Sequence, residues 1–321
     1  MTDDESQAPL NDLAWDLVHQ ILTETEDLDV EPVASSAPGL VLDFGVEAPG
    51  GIAAGLALAE VCMAGLCEIS LVPGTLGGYG WPQLFVQTES PLEACLLSQY
   101  AGWKIEQGRF FAMGSGPMRA AAAAEELFTQ FDYKEKGFGV VGVLETGSLP
   151  DAEVIEKIAA ACQVDPQNVA LLCAPVTSLA GNLQVIARSV ETALHKLLHL
   201  GFDVLRVERA CGWAPLAPVS PDTLAGIGRT NDAILHGGRV TLWVNGDDES
   251  LAEIGPRVPA SASGAKGKLF ADLFEEAGRD FYNMDAQLFS PAQVVFQNVE
   301  TGRVHAFGEV DESLLKRSFG L

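Results

Sequence analysis

Among 321 residues, the pair with the most chemical promise is Arg188 and Glu191. Three residues apart in a helical pattern, they stand one turn apart on one face. A surface ion pair at that spacing contributes little. The neighbours Leu183, Val185, Ile186, Ala187, Val190 and Ala193 are apolar on several sides, however, which marks a buried helix. A buried carboxylate needs a partner or a task, so proton transfer and plain structural pairing are both open. The segment "GSGPMRAAAAA" is a second candidate. Gly114, Ser115 and Gly116 make a tight turn, Pro117 suits the first helical position, and free N–H groups there can hold an anion beside the charge of Arg119. It is no dinucleotide fingerprint, because Arg119 occupies the third glycine position, and an ordinary turn into a helix is the alternative. A third candidate, Arg229-Thr230-Asn231-Asp232 between glycines, reads as a polar loop before a strand. It could hydrogen-bond a heterocycle or simply close an Asx turn. His195 and His199 lie one turn apart on an expected exposed face but lack a third ligand, and Cys62 and Cys67 have no matching second pair. No metal site is expected. A nucleophile elbow, a Walker A loop and an EF-hand are absent from the sequence.

The elements that must position these groups follow from periodicity. "NDLAWDLVHQIL" spaces its apolar residues as an amphipathic helix with Asn11 or Asp12 near its cap, after an acidic, frayed segment over residues 1–10. "GLVLDFGVEAPGG" reads as a strand entering a glycine-rich bend, and "IAAGLALAEVCMAGLC" as a helix whose small residues allow close packing. Strand and turn alternate from Ser70 to Thr88. "PLEACLLSQYAGWKI" reads as helical up to Gly102, and the alanine run after Pro117 as a further helix. "FGVVGVLET" and "NVALLCAP" bracket a helical "DAEVIEKIAAACQV", a strand-helix-strand unit. "LQVIARSVETALHKLLHLG" is the longest helical pattern, stopped at Gly201. "VTLWVNG" then reads as a strand, residues 256–268 as a loop, "LFADLFEEAG" as a helix, and the end as a hairpin around Thr301-Gly302. Strands and helices intermix throughout, which predicts a mixed α and β (α+β) fold.

Composition narrows the function. At roughly 150 residues per domain the length suggests about two domains. A 48% hydrophobic content supplies a proper core, which excludes global disorder. With 19 Lys and Arg against 44 Asp and Glu, the net charge is −25, so nucleic acid and anionic membrane surfaces are disfavoured as partners. The start Met-Thr-Asp-Asp-Glu does not resemble a signal peptide. The uncharged stretch Ile69–Thr88 carries two prolines and four glycines and does not suit a membrane helix. Scattered cysteines in apolar runs suit buried thiols, and the cytoplasm is the expected compartment. An acidic soluble enzyme or an acidic assembly protein remains.

Several segments in order, "GVEAPGGIAAGLALAEVCMAGL", "AGW" at 101–103, "FFAMGSGPMRA", "LQVIARSVETALHKL", "GRTNDAILHGG", "LFSPAQVV" and the terminal "SFGL", resemble the methenyltetrahydromethanopterin cyclohydrolases from about Asn11 to Leu321. The resemblance implies two intimately associated α/β-type domains with a substrate pocket between them, a homotrimer, and no metal or redox cofactor. The implied reaction adds water to the bridging methenyl carbon of a pterin carrier and opens the ring to the 5-formyl form. Glu191 matches the family's acid/base carboxylate and Arg188 the arginine beside it, which orients the carboxylate and binds the water or the emerging oxygen. A neighbouring cation lowers a carboxylate pKa, whereas burial raises it. By the same analogy Gly114, Ser115, Gly116, Arg119, Gln184, Arg229, Thr230, Asn231, Asp232 and Phe289 are candidates for binding the pterin substrate and its tail. The last of these is an aromatic wall or plain core. Arg119, Arg188 and Arg229 would form a local positive pocket in an acidic shell. His236 stands where the pattern has Tyr, and "SASGAKGKLF" departs from the usual "YGKPF", so local loop contacts are expected to differ. A folate-type carrier and a catalytically silent pterin-binding protein are the rival readings.

Overall fold

The computed structural model describes residues 8–34, 38–264 and 266–321. In chain order the strands are β1 (Glu31–Pro32), β2 (Leu40–Asp43), β3 (Glu68–Leu76), β4 (Tyr79–Thr88), β5 (Trp103–Gln107), β6 (Phe110–Ser115), β7 (Val140–Glu145), β8 (Val169–Ala174), β9 (Val207–Pro215), β10 (Arg239–Val244), β11 (Gln293–Asn298) and β12 (Val304–Gly308). The helices are α1 (Leu10–Thr23), α2 (Thr25–Leu28), α3 (Ile52–Cys62), α4 (Met118–Ala122), α5 (Glu126–Gln130), α6 (Ala152–Cys162), α7 (Leu179–Ile186), α8 (Ser189–His199), α9 (Thr223–Gly237), α10 (Asp248–Ile254), α11 (Phe270–Glu276) and α12 (Glu312–Phe319).

Two mixed six-stranded sheets, β1-β2-β8-β7-β6-β5 and β12-β11-β10-β9-β4-β3, give an α+β fold of two sheet-based domains. In the first, β7 and β8 pair in parallel through α6, as the strand-helix-strand pattern predicts. Their continuous apolar runs are explained by cover on both faces. Val141, Val143, Ala170 and Leu172 meet α1 and α3, while Val140, Leu144, Leu171 and Cys173 meet α4 and α6. The second sheet shows alternation instead. Ala210, Ala214, Val240, Leu242, Val294 and Phe296 enter a core shared with α7 and α8, while Trp213 and Trp243 on the other face stay part-exposed.

The chain crosses between the sheets. β3 and β4, joined through Gly77 and Gly78 at positive φ, belong to the second sheet although strands of the first flank them in sequence. α3 and α7 pack together where Gly55 lies: a Cβ there would come 2.6 Å from Leu183 Cδ1 and 3.0 Å from Ala180 Cα.

Four expectations are corrected. The frayed N-terminus does not extend to residue 10: Leu10 opens α1 and is buried, while residues 1–7 fall outside the described residues. Asn11 is not a cap; its amide holds the Pro117 carbonyl (2.9 Å) and Glu135 (2.7 Å), and its Oδ1 accepts from Val141 N (3.0 Å). The helix expected up to Gly102 is the π-helical segment Leu92–Gln99, followed by β5. The alanine-rich helix ends early because Ala123 turns left-handed (φ 46°). Among the described residues no helix is long and apolar enough to cross a membrane.

Candidate active site

The long helix predicted over 183–200 is two helices, and Arg188 sits at the joint. It takes the N-cap position of α8 (φ −85°, ψ 11°), and Glu191 lies in the first turn. The two side chains are close but form no ion pair among the described residues; of the two open readings plain structural pairing is therefore absent there, and the single continuous helix is corrected. Arg188 is held by other groups. It donates through Nε (3.0 Å) and Nη2 (2.6 Å) to Gln184 Oε1, through Nη2 to Ser115 Oγ (3.0 Å), and through Nη1 to the Gln99 carbonyl. A guanidinium has five N–H donors. One of those on Nη1 has no partner among the described residues.

Glu191 is 4% exposed and receives no hydrogen bond among the described residues. Burial pushes its pKa up to about 7, and the guanidinium groups of Arg188 and then Arg119 only partly oppose the rise. Desolvation therefore outweighs the neighbouring cations. The π-helical segment packs against α8, and Tyr100 just beyond it is raised to about 12, first by burial and then by the Glu191 charge. His195 is buried rather than exposed, stacked on Tyr100 at 4.7 Å. Burial, then His199, Arg119 and Lys196, lowers it to about 3, which leaves it neutral. Burial likewise keeps the Cys62 thiol protonated, and no group of three or more His, Cys, Asp or Glu positioned for a metal ion occurs among the described residues.

A cavity of about 450 Å³ opens at the edge of the first sheet; Arg188 and Glu191 do not line it, but Glu145 on its wall lies within the field of Arg188. One wall is the carboxyl edge of the first sheet: Met113, Glu145–Gly147 and Pro175–Thr177. The other is Thr223 and Ile227 of α9 with Phe274 and the turn Arg279–Tyr282 that follows α11. Ser115, the anchor of Arg188, lies two residues beyond Met113. Strand carboxyl ends facing a second layer are where open α/β sheets take ligands, and the volume suits a small molecule.

Other expected contacts turn inward. Arg119 is fully enclosed: it pairs with Glu125, donates to the Leu96 (3.1 Å) and Ser98 (3.0 Å) carbonyls, and lies over Tyr100 and Phe128. Gly116 does supply a positive φ (87°), and Gly114 packs under Met118, but the helix after the turn has only five residues. Gln184 is spent on Arg188. Arg229–Asp232 is no loop; it lies within α9, whose start Asp222 caps. Arg229 donates to the Ser318 carbonyl (3.2 Å), Thr230 and Asn231 bond back to Gly226 and Ile227, and Asp232 accepts from Phe270 N (2.8 Å). Arg229 and Asp232 thus fasten α9 to α12 and α11. Phe289 joins an aromatic cluster with Phe270 (5.8 Å) and Phe281 (6.3 Å), and only Phe281 of these three lines the cavity. The positive pocket of Arg119, Arg188 and Arg229 does not form. Lys104 and Arg279 line the cavity instead. His236 Nε2 lies 3.2 Å from the Lys268 carbonyl, so the two departures from the family pattern meet each other.

Three groups at the site escaped the sequence reading: Gln99, whose carbonyl grips Arg188, Arg279 and Glu145. For Glu145 a signal existed, a lone acid closing the apolar run "VVGVL". Arg279 follows Gly278 in a left-handed turn (φ 60°), and only the fold brings it to the cavity.

The family model described as Cyclohydrolase (MCH) matches residues 9–319. The chain belongs to that family. It is similar to the methenyltetrahydromethanopterin cyclohydrolase of Rhodopirellula baltica, at 44% identity over 88% of this chain and 86% of the relative. The protein of the same name from Xanthobacter autotrophicus is 42% identical over 95% of this chain and 90% of its own. That from Methanosarcina barkeri is 37% identical over 97% and 98%. The resemblance stated from the sequence motifs is thereby borne out over nearly the whole chain.

Proposed function

We propose that this protein hydrolyses 5,10-methenyltetrahydromethanopterin to the 5-formyl carrier, reversibly, with Glu191 as acid/base. The observation that carries the assignment is a buried, unbonded carboxylate of pKa about 7 beside an arginine held by other partners. Such a group is divided between base and acid at neutral pH. As carboxylate, Glu191 takes a proton from water while the water oxygen bonds to the cationic methenyl carbon. The carbon–nitrogen bond on the N10 side then breaks as the adduct's hydroxyl loses its proton to solvent and becomes the formyl oxygen, the proton on Glu191 passes to the departing nitrogen, and the formyl group stays on N5. The free Nη1 N–H of Arg188 would bind the water or the developing formyl oxygen, fixed in place by Gln184, Ser115 and the Gln99 carbonyl.

Methenyl and formyl carbons share one oxidation state, and the carbon attacked is already cationic. The reaction as written therefore moves only water and a proton, and we infer no requirement for a redox cofactor or a Lewis-acidic metal. A homotrimer and a cytoplasmic setting complete the reading; the first rests on the resemblance and the second on the scattered cysteines in apolar runs, and the part-exposed Trp213 and Trp243 on the second sheet suit a covered face. The test follows loss of the methenyl-pterin absorbance, with the tetrahydromethanopterin and tetrahydrofolate carriers side by side, and light scattering for the assembly. Fast loss with the first carrier supports the proposal. Equal or faster loss with the folate carrier replaces its substrate, and saturable binding without loss replaces it with a silent binding protein.

A further inference from the structure

Glu145 is a carboxylate on the cavity wall to which the chemistry above gives no task. It closes β7 and lines the cavity, and its carboxylate accepts no hydrogen bond among the described residues. Protein encloses it on most sides while the cavity leaves it part-accessible. A recessed acceptor with no partner is costly unless a ligand supplies the donors. Burial raises its pKa and Arg188 lowers it, whereas Glu191, which also responds to Arg188, is not among its influences. Both carboxylates lie within the field of Arg188, and of the two only Glu145 lines the cavity. Phe111, Val176, Ile227, Phe274 and Phe281 give the cavity an apolar face, with the charged Lys104, Arg279 and Asp280 also on its walls.

We propose that Glu145 anchors the pyrimidine edge of the pterin, accepting the ring N3–H and the 2-amino N–H side by side on its two oxygens. The inference rests on the pterin reading above and deepens it. A pterin presents those two donors in one plane, the arrangement that a carboxylate accepts in a bidentate manner. Aromatic walls enclose the rings, and a few placed polar groups set the orientation. Glu145 is then a binding and orienting residue, and Glu191 alone moves the proton.

The test is Glu145→Gln, with Glu145→Asp as a second variant should the first unfold, each checked by thermal unfolding. Steady-state turnover of methenyltetrahydromethanopterin is combined with its Kd from tryptophan-fluorescence quenching. A carboxamide offers one acceptor and a misplaced donor, so KM and Kd should rise about 10- to 100-fold while kcat changes by less than about threefold. Against a carrier lacking the 2-amino group, the wild type should lose a similar factor and Glu145→Gln little more. A fall in kcat as large as that of Glu191→Gln, at unchanged Kd, overturns the proposal in favour of proton transfer. Unchanged KM, Kd and kcat overturn it as well. So does a 2-deamino carrier bound as tightly as the natural one, which would place Glu145 against the amidinium. A wild type that binds without turnover would defeat the hydrolase reading alone, because the Kd comparison still decides on Glu145.

Discussion

Replacing Glu191 with Gln should remove activity and stabilise the protein above neutral pH. The carboxyl rises from 4.5 to about 7 on folding because burial disfavours its charge. The folded chain therefore keeps a proton that the unfolded chain releases, and stability falls as pH climbs from about 4.5 through about 7 before levelling off. At about 1.4 kcal/mol per pKa unit the wild type forgoes up to ~3 kcal/mol at high pH, of which ~2 kcal/mol is lost between about pH 5.5 and 8.5. A carboxamide at this position has nothing to ionise and escapes that loss. Urea unfolding of both proteins at equal concentration should give a stability difference that shifts in favour of Glu191→Gln by ~2 kcal/mol from about pH 5.5 to 8.5. Turnover in the methenyl assay should fall roughly 10²- to 10⁴-fold, the usual share of a general acid/base. A stability difference that does not move with pH, or moves against the variant, would mean the carboxylate is favoured in its charged form. The desolvation argument would then be refuted.

In the wild type, log kcat/KM for hydrolysis should fall with unit slope as pH drops below about 7, because protonated Glu191 cannot take a proton from water; a flat profile from about pH 5 to 8 counts against this base. Gln184→Ala strips Arg188 of its two bonds to Oε1 and should lower kcat about 10- to 100-fold with little change in substrate Kd, measured by turnover and fluorescence titration. Glu125→Ala leaves the enclosed Arg119 charge unpaired and should destabilise by about 3 kcal/mol in urea unfolding. Gly55→Val drives a side chain into Leu183 and Ala180 and should lower stability by about 1–3 kcal/mol, read from the thermal midpoint.

Local patterns were legible wherever local forces decide. The β7-α6-β8 unit and the β11-β12 hairpin stand where apolar period and turn glycines place them, and the motifs that marked the family run in register over residues 9–319. Arg229–Asp232 misled because Gly, Thr, Asn and Asp are weak helix formers. In the fold, Thr230 and Asn231 bond back into α9, and Gly228 admits Ala271, whose Cβ would lie 2.9 Å from any added Cβ. The break between α7 and α8 has no local mark, since neither Gly nor Pro stands between Leu183 and Leu200. The guanidinium of Arg188 is held there by Gln99 and Ser115, residues about 90 and 70 positions away.

By itself, then, the chain determined its class and most of its elements, and it marked Arg188 and Glu191 as candidates, because residue types and short-range spacing carry that information. Only the tertiary structure decided what each charge does. It left Glu191 unbonded in a desolvated place, closed Arg119 against Glu125, and set Glu145 on the cavity wall. Sequence lists charges, but desolvation and partner choice are sums over neighbours from distant segments. Here those segments come from two sheets whose strands interleave along the chain, so their neighbours exist only once the chain has folded.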